Sequence, residues 1–334
     1  MEEAEAGPTE RPPYEEMVAF ANRAPSVHNT QPWLWRTSET GLELFADWSR
    51  QLSRADPDGR DLVLSCGAAL HHLRIAAAAL GWAADVRHGP DPIYPRLLAA
   101  ITFTRREGSE ETARRLTCLV ERHTDRRRFA SRPLAQEHLE SLARTGNEWG
   151  AMVTPVEDEA VCMRLLRLTS EADDRQRSDP AYSTELMKWA RGRDPDRDGV
   201  PPTHVPAARS TDDVGVSVPQ RFPSGTLVEE SLDRSSSPPA ILVIATSSDD
   251  VLSRTRAGET LSAIWLEATG RRLVGVPLSQ ATEVDETRRL LQSSELGDRA
   301  CPQILFCVGW PQDDRSPLQL TPRRPVSEVL LRAY

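Results

Sequence analysis

Apolar and polar positions alternate with two periods along this chain, and the periods divide it into helices and strands. Tyr14, Met17, Val18, Phe20 and Ala21 recur at helical spacing over 14–23, and Ala24-Pro25-Ser26 ends that run. Trp33-Leu34-Trp35 and Leu42-Glu43-Leu44-Phe45 flank Ser38 to Gly41, which predicts a β-hairpin. Leu62, Leu64, Ala68, Ala69, Leu73, Ala76, Ala77 and Leu80 make Arg60 to Gly81 the clearest helix, with Gly81 as its stop. Strands are expected at 84–88 and 97–103, helices at 110–122 and 134–145, a strand at 148–154 and an amphipathic helix over 157–172. Farther on, Ala240 to Ala245 and Ile304 to Val308 read as buried strands, and 251–269 and 283–292 as helices. The strands do not follow strict βαβ alternation, so the fold class is α+β.

One stretch breaks the pattern. From about 173 to 237 the chain is rich in Asp, Arg, Ser and Pro, with one helical island at Tyr182 to Arg191. So long an irregular segment is usually a lid or a binding loop. Residues 192–225 carry few apolar groups and must lean on another surface, and Tyr182, Leu186 and Trp189 give the island an apolar face to dock with. Residues 1–13, acidic and Pro-containing, are expected to be a flexible tail.

Composition narrows the function classes. The chain has 334 residues and a net charge of −9, so a basic coat for nucleic acid is excluded. No apolar run approaches the roughly 20 residues of a bilayer span, and the acidic N-terminus lacks the apolar core of a signal peptide. The expected compartment is the cytoplasm, with no membrane partner. Lys188 is the only lysine, an arginine bias typical of a GC-rich bacterial genome, so any anion site must use Arg forks. Cys66, Cys118, Cys162, Cys301 and Cys307 are odd in number and scattered, which predicts reduced, mostly buried thiols and no zinc site. The glycine-rich nucleotide loops, the zincin motif and the nucleophile elbow are all missing. Asp56-Pro57-Asp58-Gly59-Arg60-Asp61 reads as a capping turn before the long helix, because it lacks the glutamate a calcium loop needs. His71 and His72 are adjacent in that helix, and one is expected to pack while the other is partly exposed.

Three segments carry chemistry. In 24–33, Pro25 and Pro32 fix the backbone while Ser26, Asn29 and Gln31 supply polar groups, which suits planar hydrogen-bonding matter; the plainer alternative is a capped helix–strand turn. Arg122-His123-Thr124-Asp125-Arg126 puts Arg122, Thr124 and Arg126 on one side of an extended segment, an anion cradle or else a solvated charge run. Thr321-Pro322-Arg323-Arg324-Pro325 is a stiff basic element or else a surface tail.

Together these segments resemble the nitroreductase family of FMN-dependent flavoproteins. Pro25-Ser26, Asn29 and Gln31-Pro32-Trp33 are similar to that family's P-S-x-x-N-x-Q-P-W signature. Arg122-His123-Thr124-Asp125-Arg126 resembles its R-x-[ST]-x-[KR] phosphate signature, and Arg323-Arg324 its late basic clamp. Gly275-Val276-Pro277-Leu278 corresponds to the strand that faces the flavin. The order departs from the family: the P-S-x-x-N loop here precedes the phosphate signature, and each half supplies what the other lacks. The resemblance therefore implies two fused halves, 14–110 and 111–334, forming an intramolecular pseudo-dimer with one FMN site, as in the Acg-type subfamily. The 173–237 stretch is the candidate lid.

On that resemblance, Arg122, Thr124 and Arg323 or Arg324 bind the FMN phosphate. Arg126 stands near flavin N1 and O2, and Pro25, Ser26, His28, Asn29, Gln31 and Gly275 line the ring. His28 is the one titratable group in its loop and a weak candidate proton donor beside its plainer role in packing; the chemistry centres on the flavin. The implied activity is NAD(P)H-dependent two-electron reduction of nitroaromatic, quinone or similar small-molecule acceptors. The alternative is a protein that sequesters FMN under its lid. A monomer is expected, because the two halves already pair.

Overall fold

The computed structural model describes residues 11–89, 94, 96–191, 194, 196–207, 218–222, 225–228, 239–312 and 315–332. The N-terminal part runs α1 (Tyr14–Ala21), β1 (Trp33–Thr37), β2 (Gly41–Ala46), α2 (Arg60–Ala79), β3 (Trp82–His88), β4 (Leu97–Arg105) and α3 (Glu110–Glu121). There follow α4 (Gln136–Asn147), β5 (Met152–Val156), α5 (Glu159–Arg177), α6 (Pro180–Arg191), β6 (Ala240–Thr246) and α7 (Val251–Gly270). The chain closes with β7 (Val274–Leu278), α8 (Gln280–Glu283), α9 (Asp285–Leu296), β8 (Cys301–Gly309), α10 (Val326–Val329) and β9 (Leu330–Leu331). The class is α+β, as the pattern predicts.

Two sheets organise these elements. One has the order β3-β4-β2-β1-β9 and the other β5-β6-β8-β7. The expected hairpin is β1–β2, paired from Trp33↔Ala46 to Thr37↔Leu42. The first sheet takes its last strand from the far end of the chain, where Leu330 and Leu331 lie parallel to Trp35 and Arg36. In the second sheet, Leu242 and Ile244 of β6 pack toward α4 and α7, while Ile241 and Val243 join the cluster with α5 and α9. Successive strand residues face opposite sides, so a sheet covered on both faces demands the unbroken apolar run seen at 240–245.

Helices α2 and α7 pack back to back between the sheets. A Cβ on Gly67 would stand 2.0 Å from the Thr255 carbonyl oxygen, and one on Gly258 would stand 1.9 Å from that of Leu64. Only glycine permits so close an approach of two helix backbones at these positions. The pairing buries α2 on every side, and both His71 and His72 lie inside, which corrects the expectation that one is exposed. Helix α2 is long and apolar enough to cross a membrane by length and composition, contrary to the reading of the bare sequence, yet most of it is buried within the fold.

The turn before α2 caps it as expected, with Asp56 Oδ2 accepting from Leu62 N at 2.9 Å. The five cysteines are unpaired, and Cys66, Cys162 and Cys307 are buried. The irregular stretch begins later than the composition suggests. Helix α5 continues to Arg177, and α6 starts at Pro180, with Asp179 Oδ1 accepting from Ala181 N at 2.8 Å. Proline suits a first helical turn because its missing N–H has no partner there. Residues 1–10 of the expected tail, and 192–193, 195, 208–217, 223–224 and 229–237 of the expected lid, lie outside the described residues.

Candidate functional site

A cavity of about 110 Å³, partly open to solvent, lies where residues 25–28, the start of α2, the 124–126 segment, β7 and residues 218–222 converge. The loop is held in an uncommon conformation. His28, Asn29 and Gln31 have φ of 48°, 55° and 48°, the left-handed region that non-glycine residues rarely enter. Each such residue costs roughly 1–3 kcal/mol and persists only where its surroundings fix it. Here Ser65 Oγ accepts from Val27 N at 3.1 Å, and Ser26 Oγ accepts from Gln31 N at 3.0 Å.

The strain sends the loop's side chains in different directions. Pro25, Ser26 and His28 line the cavity. Asn29 and Gln31 turn away from it and brace other backbone. Asn29 Nδ2 donates to Gly199 O at 3.0 Å and Pro322 O at 3.1 Å, and Gln31 Nε2 donates to Arg197 O at 2.7 Å. Arg324 belongs to the same brace, its N–H donating to Gln31 Oε1 at 2.8 Å and its Nη1 to Gln31 O at 3.2 Å.

Thr124 and Arg126 line the cavity from the other half of the chain. Thr124 bridges to Gly275, whose absent side chain leaves room for Phe306; a Cβ there would lie 2.3 Å from its ring. The next three residues, Val276, Pro277 and Leu278, reach the cavity instead. Burial, with Arg221 adding, brings the Arg126 guanidinium down to about 10, so it stays charged at neutral pH. Its neighbour Asp125 is engaged by Arg127 at 2.9 Å and Arg315 at 2.7 Å.

Arg122 and Arg323 meet beside a third cation, Arg23, which the sequence reading passed over. Arg122 Nη2 donates to Arg23 O at 3.0 Å, Arg323 Nη2 to the same oxygen at 3.2 Å, and the Arg122 guanidinium lies 4.6 Å over the Trp265 ring. Among the described residues no carboxylate pairs with any of the three, and each keeps a buried Nε without an acceptor. Burial lowers Arg122 to about 9, with Arg323 and Arg23 adding, and burial with Arg23 lowers Arg323 to about 10. An excess of buried guanidinium is costly unless an anion joins it.

Other lining residues were not predicted. Arg221 lies in a Pro-rich stretch with no motif to mark it, and Asp61 was read only as part of a capping turn. Arg221 Nη2 donates to Glu283 Oε1 at 2.6 Å, and its Nη1 lies 3.0 Å from His28 Nε2. Burial, Arg221 and Arg126 push the His28 imidazole well down, so it is neutral and accepts from Arg221. Phe222 stands edge-on to His28 at 5.0 Å, and the Arg126 guanidinium lies 5.3 Å over the Phe222 ring. Tyr182, Leu186 and Trp189 of α6 are buried with Leu52, Val205 and Phe222 beside this wall.

No family model matches the chain. Two curated Mycobacterium tuberculosis (strain H37Rv) proteins are similar to it over nearly their whole lengths. "Putative NAD(P)H nitroreductase Rv3131" is 35% identical over 316 residues, 94% of this chain and 90% of the relative. "Putative NAD(P)H nitroreductase acg" is 34% identical over 315 residues, 93% of each. A solved nitroreductase with bound FMN from Bacteroides fragilis NCTC 9343 overlays 62% of this chain and 93% of its own at 12% identity, with a TM-score of 0.40, too low to bear on ligand or mechanism. The two full-length relatives decide the matter: the chain belongs to the nitroreductase family, and within it to the Acg type.

Proposed function

We propose that this chain is an FMN-dependent oxidoreductase that takes hydride from NAD(P)H and reduces small electrophilic acceptors, nitroaromatics or quinones, by two electrons. The observation that carries the reading is the Arg23–Arg122–Arg323 cluster, in which Arg122 is buried, Arg23 and Arg323 are half-buried, and each guanidinium keeps a buried, unused Nε donor and no carboxylate partner among the described residues. A phosphate monoester near neutral pH brings −1.5 to −2 charges, roughly, and three acceptor oxygens, which fits that donor set. The names of the Mycobacterium relatives supply the nicotinamide donor and the nitro acceptor.

In this reading Arg122 and Arg323, joined by Arg23, hold the phosphate, and Pro25, Ser26, His28, Thr124 and Arg126 face the ring. Bound FMN would supply the hydride carrier. Arg126 contributes a fixed positive charge that favours an anionic reduced ring. His28, neutral and held by Arg221, orients rather than titrates. Asn29, Gln31 and Arg324 serve the site by fixing the strained loop, and Gly275 by letting β7 approach Thr124.

The domain reading follows the same lines. Two sheets joined through α2 and α7 suit two fused halves with one site between them, the halves lying at about 14–110 and 111–334 with β9 returned to the first. The chain then needs no second copy, and five unpaired thiols suit a reducing, cytoplasmic setting. Helix α6 and residues 218–222 act as the lid. Arg221 and Phe222 in the cavity wall also favour a second reading, in which the lid sequesters FMN.

The test is to purify the protein, count released flavin, add NADPH without oxygen and then a quinone. One FMN per chain that bleaches and recovers supports the proposal. FMN that never bleaches supports sequestration instead. Two flavins per chain, FAD or none at all would overturn the site.

A further inference from the structure

Asp61 and Arg221 line the cavity, and two further carboxyl groups, Asp56 and Glu283, stand close to Asp61. Asp56 is satisfied by backbone N–H groups at the start of α2, Leu62 N among them at 2.9 Å. Glu283 accepts from Arg221 Nη2, Ser279 Oγ and Gln176 Nε2, each at 2.6 Å. Asp61, in the first turn of α2, is 4% exposed and lines the cavity, and its Oδ2 has no donor among the described residues. Its nearest charged neighbours are Glu283 and Asp56, whose charges work against its own. Two buried carboxyl groups this close do not both ionise cheaply, so one of them keeps its proton. Arg221 is committed to Glu283, and burial works against the Glu283 charge, but Arg221, Asp61, Gln176 and Ser279 together hold its carboxyl below the ordinary range. Burial, with Glu283 and Asp56 adding, pushes Asp61 well above it. The proton therefore belongs to Asp61, a neutral acid at the cavity wall.

We infer that Asp61 is the proton donor to the acceptor reduced in this cavity, an inference that rests on the reduction proposed above. Two-electron reduction of a quinone adds a hydride and a proton. The hydride comes from the reduced cofactor, which is oxidised, and forms an O–H bond at one quinone oxygen, while an electron pair passes through the ring onto the other oxygen. That oxygen takes the proton as the Asp61 O–H bond breaks and a new O–H bond forms, giving the hydroquinone. The Asp61 carboxylate left behind faces Glu283 and Asp56, so it regains a proton readily from water in the open part of the cavity. His28 is the poorer donor: its Nε2 accepts from Arg221, and a neutral imidazole does not release its remaining Nδ1 proton near neutral pH.

Asp61→Asn tests this, since the amide has nearly the same shape, is neutral like the protonated acid and releases no proton. In FMN-free protein near neutral pH, infrared spectra of the wild type should show a buried protonated-carboxyl band that the variant lacks. In FMN-loaded protein, bleaching by NADPH and reoxidation by ferricyanide, an electron acceptor that needs no proton, should be unchanged. Reoxidation by a quinone should fall by roughly 10²-fold or more, the usual size of general-acid assistance, and Asp61→Glu should restore part of it. Should the amide variant fail to fold, the wild type supplies the same answer through slower reoxidation in D2O with quinone but not with ferricyanide. A carboxyl band that survives Asp61→Asn, quinone and ferricyanide rates that fall together, or equal isotope effects would overturn the role. A chain that takes up no flavin refutes the parent reading, whereas a loaded variant with normal quinone turnover refutes only this one.

Discussion

Two charged clusters have opposite imbalances, and the acidic one reaches the cavity wall through Asp61 and Arg221. At one side Arg23, Arg122 and Arg323 stand together with no carboxylate among the described residues. At the other, Asp56, Asp61 and Glu283 stand together, and Arg221 pairs with Glu283. Both break the rule that buried charge is paired. They resolve the conflict differently. A carboxyl can keep its proton, so the acidic cluster is self-sufficient. A guanidinium scarcely loses its own at neutral pH, so the basic cluster stays charged and calls for an external anion. The difference separates a group that is complete within the fold from one that is complete only with a ligand.

The largest effect that breaks this comparison is expected at Glu283. Glu283→Ala leaves Arg221 buried without its closest partner, and losing one member of a buried pair costs roughly 3–5 kcal/mol. Urea unfolding of the FMN-free protein measures it. Glu283→Gln, which keeps an acceptor for Ser279 and Arg221, should lose less. A loss near zero for the alanine variant would mean that residues 218–222 swing Arg221 out to water and are not fastened over the cavity.

Arg122 should behave in the opposite way. Arg122→Met removes a cation that has no carboxylate partner among the described residues and keeps a long apolar side chain over Trp265, so FMN-free protein should be as stable as the wild type or more so. FMN affinity should fall by roughly one to two decades, the equivalent of a charge-assisted hydrogen bond of about 1.5–3 kcal/mol. Riboflavin, which lacks the phosphate, should bind both proteins alike in a fluorescence titration. Equal losses for both ligands would show that Arg122 supports the fold and not an anion.

The two clusters were not equally legible in the sequence. Arg122 and Arg323 stand in motifs, and residues far apart in the chain meet as the motif pairing implies. The helices and the two buried strands were legible because 3.6- and 2-residue periods report which side is covered. The left-handed run at His28, Asn29 and Gln31 was not, because no residue there is a glycine and the conformation is imposed by Ser26 and Ser65. The burial of His71 and His72 depends on α7, which covers the face of α2 that an isolated helix would leave wet. Arg221 and Asp61 carry no local signal: Arg221 lies 62 residues from Glu283, Asp61 more than half the chain from it, and the group forms only once the 218–222 segment reaches the cavity.

The smallest expected effect separates the clusters by pH. Burial, with Glu283 adding and the amides of Leu62, Asp61 and Arg60 opposing, lifts the Asp56 carboxyl from 3.8 to about 6. A carboxyl raised by folding binds its proton more tightly in the folded chain. Its contribution is therefore fully present below 3.8 and lost as pH rises through about 6. His71 works in the other direction: burial, with Arg74 and Arg115 adding, pushes its imidazole from 6.5 down to about 3, so stability falls as pH drops across that range. Asp56→Asn deletes the first contribution, keeps the cap on Leu62 and leaves the second. Unfolding free energies between pH 4 and 6 should then show the variant gaining on the wild type as pH rises, by no more than one proton, about 1.4 kcal/mol per pH unit. Arg122→Met in the same scan should run parallel to the wild type, because Arg122 titrates near 9, above that window. Parallel curves for Asp56→Asn would mean that the amides at the start of α2 keep Asp56 ionised throughout, leaving Asp61 and Glu283 alone to share the proton.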